Sequence, residues 1–237
     1  MNGNISSFQS LGAVDGPGIR YVVFMQGCPL KCSFCHNPET WDFSKKNSYS
    51  AQEIFEKIKR YKPYFANGGG VTISGGEALM QPQFCYELFS LLKSEGIHTC
   101  LDTSGIGEGD WIEKLLSVTD LVICDIKFST NEKYLEHTTV NLDRVINFLR
   151  LTEKKGVPLW IRHVIIPSIT DFEREVKEII KIAQSFSNLK KIEFLPFKNI
   201  CQTKYDSLKM EFKLKNVPPC SPEKLNYFTT FIPDKFR

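Results

Sequence analysis

Along this chain, apolar residues gather in six short, nearly unbroken runs, separated by segments in which they recur every three or four positions. The runs are 19–26, 71–74, 97–102, 121–126, 159–166 and 191–195. Each is rich in β-branched and aromatic residues and has little alternation, the signature of strands buried on both faces of a parallel sheet. The intervening segments carry helical period and recognisable ends. Ser50 and Glu53 form a capping box ahead of Ile54, Phe55 and Ile58. Pro82 suits a first helical turn, Phe84, Leu88, Leu91 and Leu92 make a stripe, and Gly96 stops it. Asp110 precedes a helix over 111–116. Asn141 opens another through Val145, Ile146 and Leu149, closed by Gly156. Asp171 starts one through Val176, Ile179, Ile180 and Ala183, and Ser221-Pro222 begins a C-terminal helix.

Strands alternating with helices predict right-handed parallel β/α units in one sheet. Six units are too few for a closed eight-stranded barrel. The expected fold is therefore α/β, a partial (β/α)6 barrel with outer helices, with a doubly wound sheet as the alternative. No linker or internal repeat divides the chain, so a single domain over 1–237 is expected, with its core over about 8–205 and a basic segment over 206–237. In such folds the working residues lie past the C-terminal ends of strands. Those positions hold Cys28, Cys32 and Cys35, then Ser74 to Glu77, Asp102 to Gly105, Asp125 to Lys127, and Pro196 to Lys198.

Composition narrows the class. Of the 237 residues 42% are hydrophobic and 24% charged, which argues against disorder. No run approaches the ~18–20 apolar residues of a membrane span. The first twenty residues lack the pattern of a secretory signal, so a cytoplasmic protein with no membrane association is expected. The net charge of +3 is too small to suggest a nucleic-acid partner. Residues 190–237 carry ten basic and five acidic side chains, a surface that suits solvent or an acidic protein partner.

Eight cysteines in a reducing compartment do not read as a disulfide framework. Five are scattered singly in apolar surroundings and read as packing. Cys28, Cys32 and Cys35 are spaced Cys-x-x-x-Cys-x-x-Cys. Soft thiolates select zinc, copper(I) or iron–sulfur clusters. Structural zinc wants four ligands, usually as two distant pairs, and there is no second pair here. A cubane cluster ligated at three corners keeps its fourth iron open, so the spacing favours a cluster. A zinc-binding scaffold without catalysis is the alternative.

The loop GCPLKCSFCHN resembles the signature of the radical S-adenosylmethionine enzymes. VDGPGIR (14–20), CHNPETW (35–41), GGGVTISGGEA (68–78), GIHTCLDTSG (96–105), VTDLVICDIK (118–127) and WIRHVIIP (160–167) resemble, in order, the blocks of the pyruvate formate-lyase activating branch. The resemblance implies a 4Fe-4S cluster on Cys28, Cys32 and Cys35 whose open iron binds S-adenosyl-L-methionine. It further implies reductive cleavage of that cofactor and removal of hydrogen from a glycine Cα of a partner glycyl-radical enzyme, foremost pyruvate formate-lyase. A flavodoxin or ferredoxin would supply the electron, with Lys190 and Lys191 as contacts, and the chain would act as a monomer.

The same resemblance assigns roles around the rim. Gly75, Gly76 and Glu77 would hold the cofactor's amino group. Asp102, Thr103 and Asp125 would surround a monovalent cation, and Lys127 would pair with the cofactor carboxylate. Phe34, His36 and Asn37 would contact the adenine side and the cofactor backbone. Asp15 and Arg162 would meet the incoming glycine loop. His98, His137 and His163 have no partner pattern and read as structural. One position departs from the family, because Lys198 stands where a histidine usually follows the Leu-Pro-aromatic segment. No cysteine lies between Cys35 and Gly75, so the ferredoxin-like insertion of other activases is absent. Those other activases and small-molecule radical enzymes remain alternatives. The cysteine loop is expected to lie outside the core.

Overall fold

The computed structural model describes residues 1–44 and 47–237. Among these the strands are β1 (Asn2–Gly12), β2 (Arg20–Met25), β3 (Ser48–Ser50), β4 (Gly70–Gly75), β5 (His98–Thr103), β6 (Leu121–Asp125), β7 (Leu159–Ile165) and β8 (Leu189–Pro196). The helices are α1 (Ala51–Lys59), α2 (Pro82–Ser94), α3 (Trp111–Leu116), α4 (Asn131–Thr138), α5 (Leu142–Lys154), α6 (Glu173–Gln184), α7 (Gln202–Ser207) and α8 (Pro222–Thr229). The strands form one sheet in the order β3-β1-β2-β4-β5-β6-β7-β8. From β2 onward each strand runs parallel to the next, and these six coincide with the six apolar runs. A doubly wound sheet reverses its strand order at a switch point. Here spatial order follows chain order throughout the parallel portion, which leaves the unclosed partial barrel.

Two strands lie outside the expected set. β1 pairs antiparallel with β2 and with β3, and its pairing with β2 has two register shifts. Its sequence NGNISSFQSLG is half polar, so it offers no continuous apolar run. α4 and α7 are also additional. α4 buries only Tyr134 and Thr138, too narrow a stripe to read as a helix face.

Several helix ends follow the expected chemistry. The Ser50–Glu53 capping box is complete, and the Ser221 side chain accepts from the Lys224 N–H. Gly96 and Gly156 adopt left-handed φ of 68° and 67° just past α2 and α5. Asp110 and Asn141 occupy N-cap positions without a side-chain bond. Asp171 is a correction: Phe172 is the N-cap of α6, and the Asp171 carboxylate instead accepts from the Ser168 N–H at 2.6 Å.

Period-two alternation divides each strand between two environments. Leu101, Val122, Cys124 and Ile161 face the helices and join a main core that extends from Ile5 to Ile232. Their neighbours Cys100, Asp102, Leu121, Ile123, Trp160, Arg162 and Glu193 face the barrel interior, where Cys100, Leu121 and Ile123 form a small separate cluster. Segments after β8 are fastened to the barrel, since the Cys220 N–H donates to the Phe197 carbonyl and Phe212 packs against Phe197 and Tyr205. No helix among the described residues is long and apolar enough to cross a membrane.

Candidate functional site

A cavity of about 570 Å³ opens at the C-terminal ends of the parallel strands, within the ordinary size of a small-molecule site. Cys28, Cys32 and Cys35 line it, and Ser74, Gly75, Gly76, Asp102, Thr103, Asp125 and Lys127 face them from the strand ends. Gly75 and Gly76 are required by close packing. Gly75 has φ 95°, and a Cβ on it would stand 2.5 Å from the Met25 nitrogen. A Cβ on Gly76 would overlap the Gly27 carbonyl oxygen. The glycines thus let the end of β4 lie directly against the start of the cysteine loop, where the Gly76 and Glu77 N–H groups donate to Met25 and Gly27, each at 2.9 Å.

The cysteine loop is not outside the core, contrary to expectation. Cys28 and Cys32 are only 8% and 7% exposed and pack with Leu30 and Phe34 in the main cluster. Two backbone bonds tie the loop to the end of α4, where Lys31 and Ser33 N–H groups reach the Thr138 and His137 carbonyls at 3.1 and 2.8 Å. Carbonyls that a helix terminus leaves unpaired are satisfied in this way. From the other side, the Tyr205 hydroxyl donates to the Cys35 carbonyl at 3.2 Å. Lys204 Nζ reaches Asn37 Oδ1 at 2.7 Å and Glu39 Oε1 at 2.6 Å.

All three thiols are free, and burial raises the pKa of each, of Cys28 and Cys35 to about 12. A buried thiol becomes a thiolate ligand only when a positive centre replaces the lost hydration. Among the described residues no three His, Cys, Asp or Glu side chains converge as a single metal ion requires.

Opposite the thiols, Asp125 and Lys127 form an ion pair at 2.7 Å. Burial alone would lower the Lys127 pKa, but the charges of Asp125 and the Cys32 sulfur outweigh it and hold the ammonium protonated. Lys127 Nζ also lies 5.6 Å from the Phe34 ring centroid, and Phe34 meets Phe128 edge to face. Asp102 accepts from the Ser74 hydroxyl at 2.7 Å. Burial lifts the Asp102 pKa to about 6, opposed by Arg162 and reinforced by the neighbouring charge of Asp125.

Several expected site residues sit elsewhere than the cavity wall. Glu77 is 2% exposed and is not among the residues that line the cavity. Its carboxylate accepts from the Leu79 N–H, the Thr103 hydroxyl, and both the N–H and hydroxyl of Ser104. A carboxylate saturated in this way holds two loops together and has little left for an ammonium group. Asp15 and Arg162 are not among the residues that line the cavity, although Val14 is. Arg162 bonds Glu193 through Nε at 2.8 Å and the Val14 carbonyl through Nη2 at 2.6 Å, with Asp102 at 3.8 Å. One Asp15 carboxylate oxygen is buried without a partner, and burial raises the pKa of that group.

His36 is exposed, and its Nε2–H donates to the Lys198 carbonyl at 2.8 Å. The rim residue after β8 therefore meets the cysteine loop through its backbone. Asn37 lines the cavity while its amide oxygen is engaged by Lys204. Ser74 and Ser104 were expected at the strand ends without an assigned role, and Lys204 and Tyr205 were not foreseen as contributors. The two serines stood inside recognised blocks, whereas residues 202–207 carried no pattern that pointed to them. Lys190 and Lys191 start β8, at the end away from the cysteine loop, and Lys191 is paired to Glu193 at 2.8 Å.

The sequence profile of the Radical SAM superfamily matches residues 22–183. The chain is 44% identical over 223 residues to the pyruvate formate-lyase-activating enzyme of Clostridium pasteurianum, a match covering 94% of this chain and 93% of the other. A protein of the same name from Listeria monocytogenes is 40% identical over 222 residues, covering 91% and 90%. Among solved structures, a domain of a pyruvate-formate lyase-activating enzyme from Bacteroides vulgatus shares the fold with TM-score 0.56 and 22% identity, over 70% of this chain and 93% of that one. Streptococcus suis SuiB bound to S-adenosylmethionine shares it with TM-score 0.65 and 18% identity, over 86% and 44%.

Proposed function

The chain belongs to the radical SAM superfamily and, within it, to the pyruvate formate-lyase-activating enzymes; from that premise we propose that it activates pyruvate formate-lyase by generating a glycyl radical on that partner. A 4Fe-4S cluster held by Cys28, Cys32 and Cys35 would supply the one-electron reduction that cleaves S-adenosylmethionine and so frees a radical able to take hydrogen from a glycine Cα. The observation that carries the reading is the juxtaposition of three thiols, those of Cys28 and Cys32 buried and that of Cys35 half-buried, with Asp102, Asp125 and Lys127 across one cavity.

The residues divide the work. Lys127 offers an ammonium to a carboxylate, while Asp102, whose contacts include the Ser74 hydroxyl and Arg162, offers an acceptor to an ammonium or a monovalent cation beside Asp125 and Thr103. A zwitterionic amino-acid group is thereby matched at both ends, and buried charges need such matching. Phe34 supplies an apolar face for a purine. Gly75 and Gly76 let the strand end approach the ligand as closely as it approaches Gly27. Glu77 positions the Thr103–Ser104 segment. Arg162, buried and triply engaged, orients Asp102 and the turn carrying Val14 and Asp15.

The test is anaerobic reconstitution followed by incubation with S-adenosylmethionine, a reductant and pyruvate formate-lyase. The expected results are about four irons per chain and a glycyl doublet in the electron spin resonance spectrum of the partner. A fully loaded protein that yields no doublet would refute the assigned substrate, and a protein that takes up zinc in place of iron would refute the cluster.

A further inference from the structure

Over 26–37 the chain forms no helix or strand, so the cysteine loop takes its place from bonds to its surroundings. At Cys32 those bonds come from one helix. The N–H groups of both flanking residues, Lys31 and Ser33, end on the last carbonyls of α4, and the buried Ser33 hydroxyl also bonds His137 Nδ1 at 3.0 Å. One turn earlier on the same helix, Tyr134 is fully buried and holds the opposite side of the site. Its hydroxyl accepts from the Lys127 N–H at 3.1 Å and donates to the Asp125 carbonyl at 3.3 Å, so it bridges the backbone of the ion pair.

Residues three apart share a helix face, and here the shared face is filled by Phe128. The Phe128 ring stacks on His137 with centroids 4.7 Å apart and meets Tyr134 and Phe34 edge to face at 6.1 and 6.0 Å. Neither Tyr134 nor His137 lines the cavity. The helix is itself fastened elsewhere, since Lys133 pairs with Glu175 at 3.0 Å and donates to the Ile169 carbonyl at 3.1 Å.

We propose that α4 is the gauge of the site, with Tyr134 and His137 as positioning residues that hold the Asp125–Lys127 pair at a set separation from Cys32. The inference rests on the function proposed above, in which one cofactor must meet an iron and Lys127 together. A ligand with two points of attachment binds tightly only where both are already in place, because slack between them is an ordering cost taken from affinity. The sheet sets that separation only indirectly. Asp125 ends β6, the cysteine loop follows β2, and β4 and β5 stand between them. α4 touches both sides at once.

The experiment uses cluster-loaded protein carrying Tyr134→Phe, which keeps the ring and removes the hydroxyl, or His137→Phe, which keeps a ring on Phe128 and removes the bond to Ser33. The Kd of S-adenosylmethionine is read by titration, and the electron spin resonance spectrum of the reduced cluster is recorded with and without it. Each variant should keep its iron and weaken the Kd by about three- to tenfold, the equivalent of one net hydrogen bond. Its spectrum should broaden only when the cofactor is present. The double variant should bind no worse than the weaker single one, because slack at either end already frees the separation. Unchanged Kd values and spectra, even with a lowered melting point, would leave both residues merely structural and overturn the gauge. Losses that multiply in the double variant would also overturn it, since they mark two independent supports. Should His137→Phe take up no iron, Ser33→Ala deletes the same bond from the loop side and is read in its place. Failure of the loaded wild type to bind S-adenosylmethionine would strike the proposed function instead, and that measurement comes first.

Discussion

Replacing Glu77 with alanine separates two accounts of the Gly-Gly-Glu segment. If Glu77 is a cofactor ligand, its loss lowers S-adenosylmethionine affinity and leaves the cofactor-free fold intact. The structure points the other way, because the carboxylate is buried and accepts four hydrogen bonds from residues 79, 103 and 104. In Glu77→Ala the N–H groups of Leu79 and Ser104 lose their acceptor inside the protein, at roughly 1–3 kcal/mol each. The Thr103 and Ser104 hydroxyls can rotate toward other acceptors and add less. Removing a charge that was costly to bury returns part of the loss. A net destabilisation of about 2–5 kcal/mol follows, a melting point lower by at least several degrees for a chain of this size. Glu77→Gln keeps the shape but turns an amide N–H₂ toward one of the donors, so it should fall between wild type and alanine. The assay is urea denaturation of the cluster-free protein under reducing conditions, paired with S-adenosylmethionine titration of the loaded protein. An alanine variant within about 0.5 kcal/mol of wild type that binds no cofactor would refute the positioning role.

Three further outcomes are expected. Gly76→Ala drives a methyl into the Gly27 carbonyl, where only backbone can yield, and overpacking of this kind costs about 1–3 kcal/mol; iron uptake should fall by more than about half, and normal iron content would show that the loop tolerates the shift. Arg162→Met leaves the buried Asp102 without its neighbouring cation and the Val14 carbonyl without its donor, while Glu193 keeps Lys191, and should cost about 3–5 kcal/mol; recovery of part of that in a double variant with Asp102→Asn, read by denaturation, would locate the stress. His163 is fully enclosed, its Nδ1–H donates to the Ile126 carbonyl at 2.8 Å, and burial lowers its pKa. The unfolded chain therefore takes up the proton first as pH falls below about 6.5, and stability present above that pH is lost at up to about 1.4 kcal/mol per unit. His163→Gln should flatten the dependence of the urea midpoint between about pH 7.5 and 5.5, and an unchanged slope would clear His163 of the effect.

The parallel strands were legible because burial on both faces leaves a physical mark in the sequence. In 71–74 and 121–126 every position except Ser74 and Asp125, which face the cavity, is buried, so the apolar run is almost unbroken. β1 left no such mark, being half polar and irregular in its pairing with β2. The cysteine spacing marked out three thiols that the fold then brings to one cavity. Burial was harder to read. Nothing in GCPLKCSFCHN announces that Cys28 and Cys32 lie in the core, because the enclosure comes from α4 and α7, two helices with weak periodicity of their own. Glu77 shows the converse difficulty: its position in a recognised block was plain, but the direction of its carboxylate depends on Thr103 and Ser104, which approach only through sheet topology.

Lys198 departs from the family pattern in its side chain, yet its backbone makes a contact of its own. A lysine side chain cannot stack or accept as an imidazole does, which made the rim after β8 the least secure part of the sequence reading. The structure shows a different contact there, between the Lys198 backbone and the cysteine loop. The His36 ring donates to the Lys198 carbonyl, and a carbonyl is supplied by whatever residue stands there. What the link needs is the path of the chain, and that path is held by the Phe197 N–H on Ile165, by Cys220 on the Phe197 carbonyl, and by the packing of Phe197 against Phe212. None of these bonds involves the side chain at 198. The path of the chain at this rim therefore depends on Phe197 and its packing partners, and the side chain at 198 takes no part in the bond to His36.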